Sequence, residues 1–134
     1  MTTRTLGLAG ITLISAFAGI SGVVVDFTSS HVYNSAWPPH AQLHGYLSIA
    51  RTVLIMVAAI MLAWGPVRRG DRAAWLVLAV LLLGWIAIWM VAPLVVPGTG
   101  DRATYGFAAV LAPLYLVGIW LVRPRGVRHD DHRQ

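Results

Sequence analysis

Cysteine, lysine and glutamate are missing from these 134 residues, and charged side chains make up only 11% of them. Without cysteine there is no disulfide, no iron–sulfur ligand set and no thiol redox chemistry, so any cofactor has to be held by other side chains. A charged fraction so far below the ~25% of ordinary soluble domains excludes a water-soluble globule. What fills the chain instead is apolar: 57% of residues are hydrophobic and the mean hydropathy is +0.70. It reads as an integral-membrane protein.

The remaining charge is lopsided, with ten Lys and Arg positions, all arginine, against five Asp and Glu positions, all aspartate, for a net +5. In a soluble chain that balance would suggest nucleic acid. Here most arginines flank apolar runs, which makes them topology signals, and nucleic acid is not an expected partner.

Four apolar stretches can be marked, at about residues 6–25, 45–64, 73–92 and 103–122. Each is about 20 residues, enough to cross a ~30 Å hydrocarbon core as a helix rising 1.5 Å per residue. The first stretch has features of a signal peptide, with Arg4 ahead of it and Ala16-Phe17-Ala18 as a cleavage-like triplet. Its apolar run continues unbroken through Val25, so a retained span is expected. The predicted fold is an all-α membrane protein, a four-helix transmembrane bundle with antiparallel neighbours and one domain over 1–134.

Arg4, the group Arg68, Arg69 and Arg72, and the group Arg123, Arg125, Arg128 and Arg133 all fall on one side of such a chain. The positive-inside rule then puts both termini in the cytoplasm, of a bacterial cell by expectation, with the 26–40 loop outside. The tail 123–134, with His129 and His132, reads as a solvated anchor. Ser15, Ala18, Gly19 and Gly22 in span 1 suit close helix packing. Pro93 and Pro97 are expected to break the end of span 3, and Pro113 to kink span 4.

Polar residues gather in one segment, Asp26 to His44, which holds His31, His40 and His44. Pro38-Pro39 suits the first turn of a helix, which places His40, His44 and Arg51 at roughly 0°, 40° and 20° on its wheel. They form one narrow stripe entering the membrane, with Ser48 beside it. Arg51 lies about 9 Å below Gly45, where an arginine is expensive and normally turns inward to a partner. It either snorkels into a structural salt bridge or binds a ligand. The expected partner is Asp26, directly or through His44. Asp101 and Tyr105 share that level, and Thr99-Gly100-Asp101 also looks like a helix start.

Histidines four residues apart sit on adjacent turns, so His40 and His44, with His31 as a third, fit zinc, copper or iron as well as acid–base chemistry. No cofactor is the expected state, with a divalent metal on His31, His40 and His44 as the alternative. Trp85 and Trp89, one turn apart and deeper than the usual interfacial belt, read either as packing or as the wall of a pocket for a flat apolar molecule. Trp37 and Asn34 lie in the loop over it. Trp64, Trp75 and Trp120 read as belt residues.

The run His31-Val32-Tyr33-Asn34-Ser35-Ala36-Trp37-Pro38-Pro39-His40-Ala41-Gln42-Leu43-His44, with Asp26 shortly before it, resembles a motif of a poorly characterised family of small four-span membrane proteins. In architecture that family is similar to the wider DoxX-like group. Ser35 stands where the family commonly has proline. The resemblance implies a shared site around residues 26–44 and names no reaction.

The leading expectation is therefore a small membrane enzyme that moves protons on an isoprenoid, polyketide or sterol-like molecule, by isomerisation, cyclisation or epoxide opening. Asp26, His31, His40, His44 and Arg51 are the catalytic candidates. Asn34, Trp37, Trp85, Trp89, Asp101 and Tyr105 are the substrate-binding candidates. Membrane lipid and a second copy of the chain are expected neighbours. The alternatives are an accessory subunit holding a quinone, haem or metal, and a small homo-oligomeric transporter.

Overall fold

A computed structural model describes residues 2–96 and 102–124, apart from the side chains of residues 103 and 104. The described residues form four helices and no strand, an antiparallel four-helix bundle. They are α1 (Thr3–Asp26), α2 (Pro39–Leu62), α3 (Arg72–Val95) and α4 (Arg102–Leu121), with a π-helical turn over Ala63–Val67 at the end of α2. The helices α1 and α3 and the continuous stretch Pro39–Val67 are long and apolar enough to cross a membrane, and α4 is shorter.

Local chemistry sets these ends. Thr2 caps α1 by accepting from the Thr5 amide at 3.2 Å, and Asp71 caps α3 by accepting from the Ala74 amide at 3.0 Å. Pro39 opens α2, which therefore starts six residues before the apolar run at Gly45. Pro93 does not end α3, because the helix continues to Val95. Pro113 lies inside an α4 assigned as one helix. Pro97 and the tail 125–134 lie outside the described residues.

Each helix packs on its chain neighbours, and α1 closes the ring on α4. Three of these seams are extensive, whereas α2 meets α3 only sparsely and reaches α4 through side chains, as at Met56 and Tyr115. Ile11, Leu78, Leu82 and Tyr115 are fully buried between the helices. Ser15 sits 3.4 Å from the Tyr115 hydroxyl, which donates to Met56 Sδ at 3.4 Å. That chain of weak contacts crosses from α1 through α4 to α2 and leaves the buried phenol satisfied.

Helices α1 and α4 come close together at Gly7 and Gly118. A Cβ on Gly7 would lie 2.7 Å from Leu121 Cβ and 2.8 Å from Val122 Cγ1, and one on Gly118 would lie 2.8 Å from Ile11 Cγ1. Gly19 and Gly22, expected to be the packing glycines, have ordinary contacts with Met56 and Thr52 instead. Gly7→Leu is therefore expected to lose about 3 kcal/mol by overpacking, read as a lowered midpoint of unfolding in detergent mixtures. Gly10 on the same helix has nothing within 4 Å of its would-be Cβ. Gly10→Leu should be neutral or better, and equal losses at both positions would show that the seam is loose.

The arginines Arg4, Arg68, Arg69, Arg72 and Arg123 share one end of the bundle, and the 27–38 loop lies at the other. Arg4 donates to the Val67 carbonyl at 2.7 Å, tying the start of α1 to the end of the π-helical turn. Arg68 lies 5.6 Å from the Trp64 ring centre and Arg123 4.6 Å from that of Trp120. Charge and ring belong together at this arginine end, as expected at a membrane interface.

Candidate functional site

The loop between α1 and α2 is a series of tight turns. The Val32 amide donates to the Asp26 carbonyl at 3.1 Å, and the His31 and Tyr33 amides both donate to the Thr28 carbonyl. Asn34 Oδ1 accepts from the Ala36 amide at 2.9 Å, and its carbonyl accepts from Gln42 Nε2 at 3.2 Å. Asn34 thus builds the loop and ties it to α2, the part of an Asx turn rather than of a substrate contact. Val32, 2% exposed, is the loop's apolar anchor. A Cβ on Gly45 would come 2.7 Å from Val32 Cγ2, so glycine at that position lets the loop lie on the helix.

His31 is held within this loop. Its Nδ1 is 2.9 Å from Ser30 Oγ and 3.3 Å from Thr28 Oγ1, and its ring meets Trp37 edge-on at 6.3 Å between centres. Asp26, half-buried at the end of α1, is within electrostatic reach of His31. Those two expected site residues are brought together. Thr28 and Ser30, which position the imidazole, were not among the expected ones; the run of three hydroxyl residues just before a histidine, Thr28-Ser29-Ser30, is the signal that marks them.

His40 and His44 form a separate pair on the first turns of α2. Their Nε2 atoms are 3.0 Å apart, with ring centres 4.5 Å apart and planes at 87°. One of two such nitrogens must carry the proton and the other the lone pair, so the pair is joined by one N–H···N hydrogen bond. Both rings are exposed.

Arg51 corrects the sequence expectation. It is exposed, and it forms no hydrogen bond or ion pair with Asp26 or any other group among the described residues. The physical reason lies in the helix phase. His44, Ser48, Arg51, Ile55 and Leu62 fall on one side of α2 at helical spacing. Ile55 and Leu62 pack against the core, but His44, Ser48 and Arg51 above them are exposed. The lower part of the stripe packs inward, while the part of α2 nearer the loop presents it uncovered by protein. Asp26 is half-buried at the end of α1.

The aromatic residues pack. Trp85, 6% exposed, meets Trp89 at 5.9 Å and Phe107 of α4 at 6.1 Å, and Trp89 meets Phe107 at 5.5 Å. Phe17 of α1 adds a contact with Phe107 at 6.3 Å. The rings join three helices. An open apolar cavity of about 440 Å³ lies along α3, lined by Ala87, Ile88, Val91, Ala92, Val95 and Val96, and none of the candidate site residues lines it. Tyr105 is half-buried on α4, and Asp101 lies outside the described residues. His31, His40 and His44 do not converge, and no group of three metal-ligating side chains forms among the described residues.

Comparison with protein-family models, curated proteins and solved structures finds no match to this chain. What the chain does has to be read from its residues.

Proposed function

We propose that this is a small membrane enzyme that moves a proton on a lipophilic substrate, with the His40–His44 pair as its acid–base group. The observation that carries the reading is the 3.0 Å bond between the two Nε2 atoms on an exposed part of α2. Such a pair offers a lone pair and an N–H within one bond, so one ring can take a proton from carbon while the other returns one elsewhere. In an isomerisation the substrate gains and loses one proton, and the shared proton resets the pair. Cyclisation or epoxide opening started by proton donation uses the same groups.

The uncovered side of α2 supports entry from within the bilayer, which suits an isoprenoid, polyketide or sterol-like molecule. Arg51, farther down the same stripe, would hold an anionic or developing oxyanionic group. Asp26 and His31 would order the loop above the pair. The motif of residues 26–44, with its likeness to small four-span membrane proteins, agrees with a site at this end. The arginines at the opposite end support an orientation with both termini cytoplasmic and the site facing outward.

Deuterium transfer tests this directly. The purified full-length protein, in nanodiscs containing a lipophilic extract of the source cells, is incubated in D₂O. The extract is then analysed by mass spectrometry. One compound class should take up carbon-bound deuterium or convert to an isomer in a protein-dependent way, and an unchanged extract would refute the reading.

A further inference from the structure

We propose that His40 and His44 also form a two-histidine clamp for a borderline transition-metal ion, zinc foremost. The inference goes beyond the catalytic reading and does not require it, because it concerns what the pair binds rather than what it converts. Two imidazole ligands on a tetrahedral ion with bonds of ~2.0–2.1 Å are about 3.3 Å apart. The two Nε2 atoms already stand 3.0 Å apart on successive turns of α2. Opening them by a few tenths of an ångström reaches that separation, with the ion about 1 Å off the line between the nitrogens and the Nε2 proton displaced.

Three further features fit. Both rings are exposed, so an ion reaches them without displacing another side chain. Their planes stand at 87°, so the rings meet edge-on rather than stacked and each can turn toward a common ion. The donors are imidazoles alone, which favour zinc, copper and nickel over calcium and magnesium. His31 is no third ligand, since it is held in the loop cluster with Ser30 and Thr28 and does not come together with the pair. Two protein ligands leave positions for water or for an anionic group of a bound molecule. The ion is therefore held exchangeably, unlike a four-ligand structural zinc, and it competes with the proton for the pair.

The test is zinc titration of the full-length protein in detergent, purified without a polyhistidine tag, followed by calorimetry or competition with a zinc dye. One saturable site is expected, weakened at least tenfold in His40→Ala and equally in His44→Ala. His31→Gln, and the tail variant His129→Gln/His132→Gln, should stay within twofold of the parent, and calcium should not compete. Helicity by circular dichroism should be unchanged in all of them, as the replaced rings are exposed. Absence of saturable binding up to millimolar zinc, binding that persists in His44→Ala, or binding lost with the tail histidines would each overturn the clamp. None of these outcomes depends on turnover, so the clamp and the catalytic reading fail separately.

Discussion

Arg51→Leu is expected to insert its span more favourably by about 3 kcal/mol, because arginine near the middle of a span costs ~2.5–3.5 kcal/mol on insertion scales while leucine is slightly favourable. Arg51 is exposed and makes no ion pair among the described residues, so its removal takes no protein contact with it. The same substitution should remove most of the deuterium transfer proposed for the His40–His44 pair. Gain in insertion with loss of activity is the pattern of a residue kept for function at a cost in stability. Arg51→Lys should insert about as poorly as the parent and recover only part of the activity, since a point charge lacks the planar fork of guanidinium. Measured as glycosylation-mapped insertion of span 2 alongside turnover, Arg51→Leu with full activity would detach this arginine from the site.

Much of the fold was legible because bilayer-scale periodicity is a coarse signal. Apolar runs near 20 residues and eight of ten arginines at the termini and the middle connection place four helices and pair their ends before any packing is known. Helix starts were less legible. The start of α2 at Pro39 was marked by the Pro38-Pro39 pair, but Asp71 as the cap of α3 was not foreseen, because capping is decided by one or two polar atoms rather than by hydropathy. The α1–α4 seam was missed for a related reason: Gly7 and Gly118 are 111 positions apart, and no local spacing in either helix shows that they meet.

The site was legible along the helix and illegible across it. Spacing alone puts His40, His44 and Arg51 on one stripe, since 3.6 residues per turn fixes their phase. It does not say which neighbour that stripe faces. The inward pairing of Arg51 with Asp26 followed from the assumption that a buried charge seeks the protein interior. The part of the stripe nearer the loop is instead exposed, while Asp26 is half-buried at the end of α1. Trp85 and Trp89 show the same limit, because their spacing fits a pocket wall as well as the three-helix ring cluster they form with Phe107.

His44→Gln and His40→Gln are each expected to reduce proton transfer by at least 100-fold, the lower range of what a positioned acid or base contributes. Both rings are exposed, so helicity and thermal midpoint should change little. If the pair acts through one shared proton, the double variant should be scarcely worse than either single one, because residues that work as a unit are not additive. Independent roles would instead multiply the losses. His31→Gln and Asp26→Asn should fall by about tenfold or less, as loop-positioning groups whose effect passes through the placement of the substrate. Free imidazole gives a readout that a merely structural histidine would not move. Added to His44→Ala, it has an open surface to reach and one remaining partner in His40, and it should restore part of the turnover in proportion to its neutral fraction. Retention of activity in both single variants, or losses in them matched by loss of fold, would remove the pair from the chemistry.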